Sequence, residues 1–211
     1  MAIVGDHSDR NTPPMGGRGD DPRFNMVSAL AARDPHPSTA EQALLFDRFV
    51  GTWDCNYAEF ATDGSVNRFP GEVRFGWIID GRALQDIWIW YDPSEGESGS
   101  RRGIGTSVRF VDSSSGLWRV VWVAPASNRI LILQGRQVGE RIVLEGQDDD
   151  GSKRRWSFNE IRDDSFVWRG EVSRDGGKSW ELTAEYRLTR RPPTTPGASS
   201  ENDRHPRRSS E

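Results

Sequence analysis

The chain has 211 residues, 34% of them hydrophobic, with 28 Lys and Arg against 32 Asp and Glu and a formal net charge of −4. That length suits one domain with a real core rather than two. The mild acidity, with basic residues scattered along the chain, argues against nucleic acid or an anionic membrane as partner.

Cys55 is the only cysteine, which excludes an internal disulfide and a multi-cysteine zinc site. The opening MAIVGDHSDRNTPPMGG has a three-residue apolar run before Asp6 and does not read as a signal peptide. No window approaches the ~18 apolar residues of a membrane span, so the expected location is the cytoplasm.

In chain order, residues 1–37 are rich in Gly, Pro, Asp and Arg and are expected to be disordered, with a brief helix conceivable only within NMVSALAARD, 25–34. The expected folded domain spans 38–191. It opens with PSTAEQALLFDRFVG, in which Ser38 and Glu41 have capping-box spacing. Ala43, Leu44, Phe46, Phe49 and Val50 approximate one helical face, and Gly51 follows. This predicts one short helix over about 39–49.

From there the pattern is strand and turn. TWDCNYAEF precedes Asp63-Gly64, and EVRFGWIID meets ALQDIWIWY across Asp80-Gly81. SVRFVD, LWRVVWVA, RILILQGR and ERIVLEGQ follow, joined by short links; RRWSFNEI, SFVWRGEVS and SWELTAEYRLTR complete the run. Asp-Gly between alternating segments is a strong hairpin signal, because few other residues tolerate the positive φ of the tight turn. About ten strands in a meander leave two raw edges unless they close, so the predicted fold is all-β: an antiparallel up-and-down β-barrel preceded by one short helix. In the last hairpin one register sets Trp168 opposite Tyr186, Gly170 opposite Ala184 and, on the wet face, Arg169 opposite Glu185. Trp180 and Leu182 are then expected to share the inner face with Ala184 and Tyr186. Residues 192–211 contain no aromatic or large aliphatic side chain and are expected to form a disordered tail.

SRDGGKSW, 173–180, has the Ser-x-Asp-x-Gly-x-Ser-Trp pattern of an Asp-box, in which Asp175, Gly177 and Trp180 take structural roles. A propeller built on such boxes needs about six blades of ~40–50 residues, more than this chain holds. The single box therefore reads as a hairpin turn.

The helix, Gly51-Thr52-Trp53 and a meander ending AEYRLTRR resemble the calycin group of lipocalins, fatty-acid-binding proteins and nitrobindins. The ordered set FVGTW, IIDGRALQD, SGLWRVVWV, VSRDGGKSW and YRLTR, across about 42–191, more closely resembles an uncharacterised bacterial lipocalin-like family. The resemblance implies that Arg190 packs over Trp53 at the closed end of the barrel, a cation–π contact. Nitrobindins bind haem through a histidine, but His7, His36 and His205 all lie outside the predicted strands. No haem, metal or other cofactor is expected.

The favoured function is binding of an apolar or aromatic small molecule. Trp53, Trp77, Trp88, Trp122, Trp156 and Trp168 fall on predicted inner faces and, with Tyr186, either fill the core or line a pocket. Trp77, Trp88, Trp122, Trp156, Trp168, Tyr186 and an inward Gln134, alternating with Ile130 and Ile132, are the candidate ligand-binding residues. An Asp80-Gly81 turn places Phe75 opposite Asp86, so Asp86 points inward with Arg82 nearer the mouth. That pair supports an alternative, a cofactor-free isomerase, cyclase or hydrolase with Asp86 as acid or base and Arg82 stabilising negative charge. A one-residue slip would turn Asp86 to solvent. Glu171 and Glu185 are placed on the outer face, and Cys55 in the core without a histidine to activate it. A third reading is an interaction barrel with a filled core, in which exposed aromatics such as Trp90 join two copies into a homodimer.

Overall fold

The computed structural model describes residues 22–91 and 101–192; the tails expected at the two ends otherwise lie outside the described residues. Helix α1 (Pro22–Leu30) and strand β1 (Ala31–Ala32) precede helix α2 (Ala40–Asp47). Ten strands follow: β2 (Gly51–Phe60), β3 (Val66–Ile78), β4 (Ala83–Tyr91), β5 (Arg101–Val111), β6 (Trp118–Ala124), β7 (Arg129–Val138), β8 (Arg141–Gln147), β9 (Lys153–Asn159), β10 (Ser165–Ser173) and β11 (Glu181–Arg190). Each pairs antiparallel with the next, and β11 returns to pair with β2, closing the barrel. Closure removes the edges that an open meander would leave unpaired.

Part of the segment expected to lack structure is therefore built into the fold. Ala31 and Ala32 pair with Ile78 and Trp77, extending the sheet along β3 past the point where β2 begins. The Ile79 N–H donates to the Leu30 carbonyl at 3.0 Å. Backbone pairing of this kind needs no apolar periodicity, which is why composition missed it.

Helix α2 falls inside the predicted span, but its N-terminus differs from the expected capping box. Thr39 is the N-cap and makes no side-chain capping bond. The Ser38 hydroxyl instead lies 2.8 Å from His36 Nδ1. Leu44, placed on the apolar face by periodicity, is exposed, whereas Phe46 and Phe49 are fully buried. Those two rings plug one end of the barrel. Phe46 packs edge-on against Trp118 at 4.9 Å, and Phe49 lies 4.8 Å from Phe166 and 5.0 Å from Phe158 between ring centroids. The Trp53 indole N–H donates to the Phe49 carbonyl at 2.7 Å. The Arg190 guanidinium lies 4.1 Å from the Trp53 ring centroid and donates to the carbonyls of Val50 at 2.7 Å and Asp163 at 2.7 Å. Gly51 sits beneath it, where a Cβ would come within 3.0 Å of Arg190 Nη1.

Of the two registers left open for the β3–β4 hairpin, the structure has the one with Phe75 opposite Asp86 and Trp77 opposite Leu84, around a turn over 79–82. The last hairpin also pairs as expected from Trp168–Tyr186 to Gly170–Ala184. Beyond that a β-bulge skips Thr183 and sets Leu182 opposite Glu171. The expectation that Trp180 and Leu182 continue the inner face is thereby overturned, since one extra residue reverses the alternation. Trp180 instead stacks on the outer wall against Arg155, 3.7 Å from its guanidinium carbon. In the 173–179 turn Asp175 accepts hydrogen bonds from the Lys178 and Ser179 N–H groups at 2.9 and 3.0 Å, and Gly177 N–H donates to Ser173 Oγ at 2.8 Å.

Candidate functional site

Phe46 and Phe49 close the barrel at the α2 end. Above them, toward the opposite rim, the barrel encloses a cavity of about 320 Å³. One wall is a continuous run of aromatic contacts. Tyr57 stacks on Tyr186 at 4.3 Å, Tyr186 meets Trp88 and Trp168 at 4.9 and 5.2 Å, and Trp156 links Trp168 to Trp122 at 5.4 and 5.6 Å. Burial pushes the Tyr186 phenol well above its ordinary value, so it stays protonated.

Between β4 and β6, strand β5 makes room for the large rings with small residues. A Cβ at Gly103 would fall 2.4 Å from Trp90, and one at Gly105 would fall 2.2 Å from Trp122. The GIG of β5 is thus a cradle for two indoles rather than a phosphate loop.

The floor is polar. Asp86 is completely buried on the inner face of β4, opposite Ser107 of β5. Its Oδ1 accepts from the Ser107 N–H at 2.9 Å and the Ser107 hydroxyl at 2.6 Å, while its Oδ2 accepts from Arg109 Nη2. The Arg109 guanidinium is itself 2% exposed and lies 4.7 Å from the Phe46 ring centroid. Burial lowers Arg109 to about 9, which leaves it charged at neutral pH beside the Asp86 carboxylate. Arg109 Nε and Nη1 have no hydrogen-bond partner. At the rim, Arg129 and Arg154 both engage Asp148, Arg129 through two contacts of 3.0 Å.

Trp88, Trp122, Trp156, Trp168 and Tyr186 line the cavity, as does Asp86. Four expectations are corrected. Arg82 is not near the mouth: its turn lies at the closed end, where the side chain is half exposed and contacts Asp80 and His36. Trp77 is also at the closed end, where its indole N–H donates to Asp47 of α2 at 2.8 Å. Gln134 is exposed on the outer wall with Ile130 and Ile132, and Leu131 and Leu133 point inward instead. Trp90 lines the cavity rather than the outer surface.

Glu171, assigned to the outer face, lies beside the bulge and contributes to the cavity wall. Cys55 is buried as expected, and burial, reinforced by Asp54 and Glu72, pushes its thiol up to about 12, which suppresses the thiolate.

Sequence reading missed Arg109, Ser107, Tyr57, Arg129 and Arg154. SVRFVD carries Val108 and Phe110 on the alternate positions, so alternation places Arg109 outside. The available signal was the inward Asp86, which demanded a buried cation on a neighbouring strand.

Among the described residues no cluster of three or more His, Cys, Asp or Glu could hold a metal ion, and no described helix is long and apolar enough to cross a membrane. No family model matches the chain, and no curated protein matches it. The crystal structure of Rv2717c from M. tuberculosis superposes with a TM-score of 0.52 at 15% identity, covering 75% of this chain and all of that one. Looser likenesses are to the S-type phycobiliprotein lyase CPES from Guillardia theta, with a TM-score of 0.49 at 11% identity over 75% of this chain and 99% of that one, and to a de novo designed fluorescence-activating β-barrel, with a TM-score of 0.34 at 15% identity over 69% and 95%. At these identities likeness concerns the fold alone, a closed ten-stranded antiparallel barrel.

Proposed function

We propose that the barrel binds a planar, largely apolar small molecule within the cavity. The observation that carries this reading is the enclosed space of about 320 Å³ along a wall of contacting Trp and Tyr rings, within the size range of small-molecule sites. A filled core would have closed that space. The acid–base reading is disfavoured because both Asp86 oxygens are engaged by Ser107 and Arg109, and Arg82 is half exposed in the turn, engaged by Asp80 and His36. Titration of the full chain with fused-ring aromatic probes should give saturable quenching of tryptophan fluorescence, weakened at least tenfold by Trp88→Ala. Absence of saturable binding across the probes, checked by calorimetry, overturns the reading.

We also propose that the outer wall of β4–β7 packs against a second copy of the chain. Thr106, Val123 and Ile130 form one cross-strand row, and Val108, Val121 and Ile132 the next, with Phe110 beside them. Ile130 and Ile132 are 65% and 62% exposed, Phe110 43%. Elsewhere the wall carries cross-strand ion pairs such as Arg155–Glu145 and Arg169–Glu185. The patch offers on the order of 500 Å² of apolar surface, in the upper part of the range for the largest patch of a monomer and a large part of the ~800 Å² each partner buries in a standard interface. The chain's own ends are poor occupants: 193–211 contain no large apolar residue, and 1–21 only Met1, Ile3, Val4 and Met15. Light scattering at micromolar concentration should give twice the 23.8 kDa chain mass, falling to one chain in Ile132→Lys with near-ultraviolet circular dichroism unchanged. A wild-type monomer under those conditions overturns it.

A further inference from the structure

The cavity has too many hydrogen-bond donors. Trp53 and Trp77, buried toward the closed end, each give their indole N–H to an acceptor, the Phe49 carbonyl at 2.7 Å and the Asp47 carboxylate at 2.8 Å. Trp88, Trp122, Trp156 and Trp168 line the cavity, and among the described residues none of their indole N–H groups has an acceptor. Two of the four are more than nine-tenths buried, Trp88 at 5% exposure and Trp168 at 8%. The buried side-chain atoms without a partner among the described residues are Arg109 Nε and Nη1 and Ser152 Oγ, and no indole nitrogen is one of them, so the four indole N–H groups are unpaired within the protein yet open to whatever occupies the cavity.

The innermost acceptor that lines the same space is committed. Asp86 is engaged by Ser107 and Arg109. The Ser127 and Thr183 hydroxyls donate to the Ala124 and Gly170 carbonyls at 3.1 and 3.0 Å. Glu59 and Glu171 complete the carboxylates of the lining, at the strand ends near the rim. Arg129 and Arg154 are paired with Asp148 and Arg109 with Asp86, so no cation of the lining is without a carboxylate. A lining of balanced charge gives an anion no particular advantage over a neutral molecule, whereas unpaired N–H groups set among ring faces suit a neutral acceptor.

We infer that the ligand is a flat, uncharged, fused-ring compound with carbonyl-type acceptor oxygens on its edge, which the cavity indoles recognise by N–H···O hydrogen bonds. This rests on the binding reading above and narrows its ligand class. The rings supply stacking for any planar hydrocarbon; the indole N–H groups discriminate in favour of the one with an acceptor, since a hydrocarbon analogue displaces water from the donor and leaves it unpaired.

The test uses two probes of the same tricyclic shape, fluorene and 9-fluorenone, which differ by one carbonyl oxygen. Isothermal calorimetry on the full chain should show 9-fluorenone binding about fivefold or more tighter, the return expected from one neutral hydrogen bond. Single Trp→Phe substitutions at 88, 122, 156 and 168 keep an aromatic ring and remove the N–H. At least one should erase the preference while leaving fluorene affinity within about twofold, with thermal melting confirming the fold. Equal affinity for the two probes, or a preference that survives in all four variants, overturns the inference while leaving aromatic binding intact. Failure of both probes to bind removes the binding reading itself, and this inference with it.

Discussion

Asp86 and Arg109 are the most consequential single residues in the barrel, because each is tolerable inside only while the other is present. Asp86 is fully buried and Arg109 2% exposed, and their contact is reinforced by Ser107. Asp86→Leu leaves a guanidinium buried among Phe46, Phe75 and Phe158 with no counter-charge. The expected loss is about 3–5 kcal/mol in urea denaturation. Replacing the pair together, Asp86→Leu with Arg109→Met, should recover most of it, since removing both charges removes the cost of burying either. A double variant as unstable as the single would mean that the ion pair stabilises the barrel in its own right. At the same scale, the sequence left Asp86 inward in one register and in solvent in the other, and for the inward case it offered the wrong cation. Arg82 is close to it in the chain; Arg109 is close to it in the sheet.

At the scale of the element, turns and glycines do the positioning. The 173–179 turn sets the register that brings Trp168 opposite Tyr186, and Asp175 organises it through contacts with Lys178, Ser179 and Ser173. Those hydrogen bonds, that of Ser179 foremost, hold the Asp175 carboxyl well below the usual carboxylate range. A carboxylate depressed in the folded state contributes stability above its unfolded pKa, about 4, and loses it as pH falls through the lower folded value. The melting temperature of Asp175→Ala should therefore lie below that of the wild type at pH 7, and the gap should narrow progressively on acidification below about pH 4. A gap independent of pH would show that the turn's stability does not depend on the ionised carboxylate. The bulge at Thr183 lies one pair beyond the Gly170–Ala184 pair, and no turn signal announces it. It turns Trp180 out toward Arg155, and for that reason the inner-face assignment is right through Ala184 and fails beyond it.

For the whole molecule, closure explains what could be read in advance. Asp-Gly turns and apolar alternation are local, and a meander of ten strands has one economical way to hide its edges. The number of strands, the plug helix and the seat of Arg190 over Trp53 were accordingly legible in the sequence, whereas the register that pairs Phe75 with Asp86 was not, because both faces of β4 are rich in apolar side chains. The two faces of β5–β7 were not legible either. On β6 and β7 Val121, Val123, Ile130 and Ile132 are as apolar as the residues behind them, so alternation carries no direction there and Gln134 was misplaced. On β5 alternation points the wrong way, since the polar Ser107 and Arg109 are inside and Val108 and Phe110 outside, and Arg109 was overlooked. The proposed dimer has the same origin, since a wall apolar on both faces leaves its outer side without a solvent role. Whether the tryptophans fill the interior or enclose a space also could not be decided residue by residue. That outcome depends on the summed volume of side chains converging from ten strands and on where Gly103, Gly105 and Gly170 fall beneath the rings. Local chemistry along the chain determined the strands and their order; the cavity, its buried ion pair and its unpaired indoles exist only because closure brings distant residues to one axis.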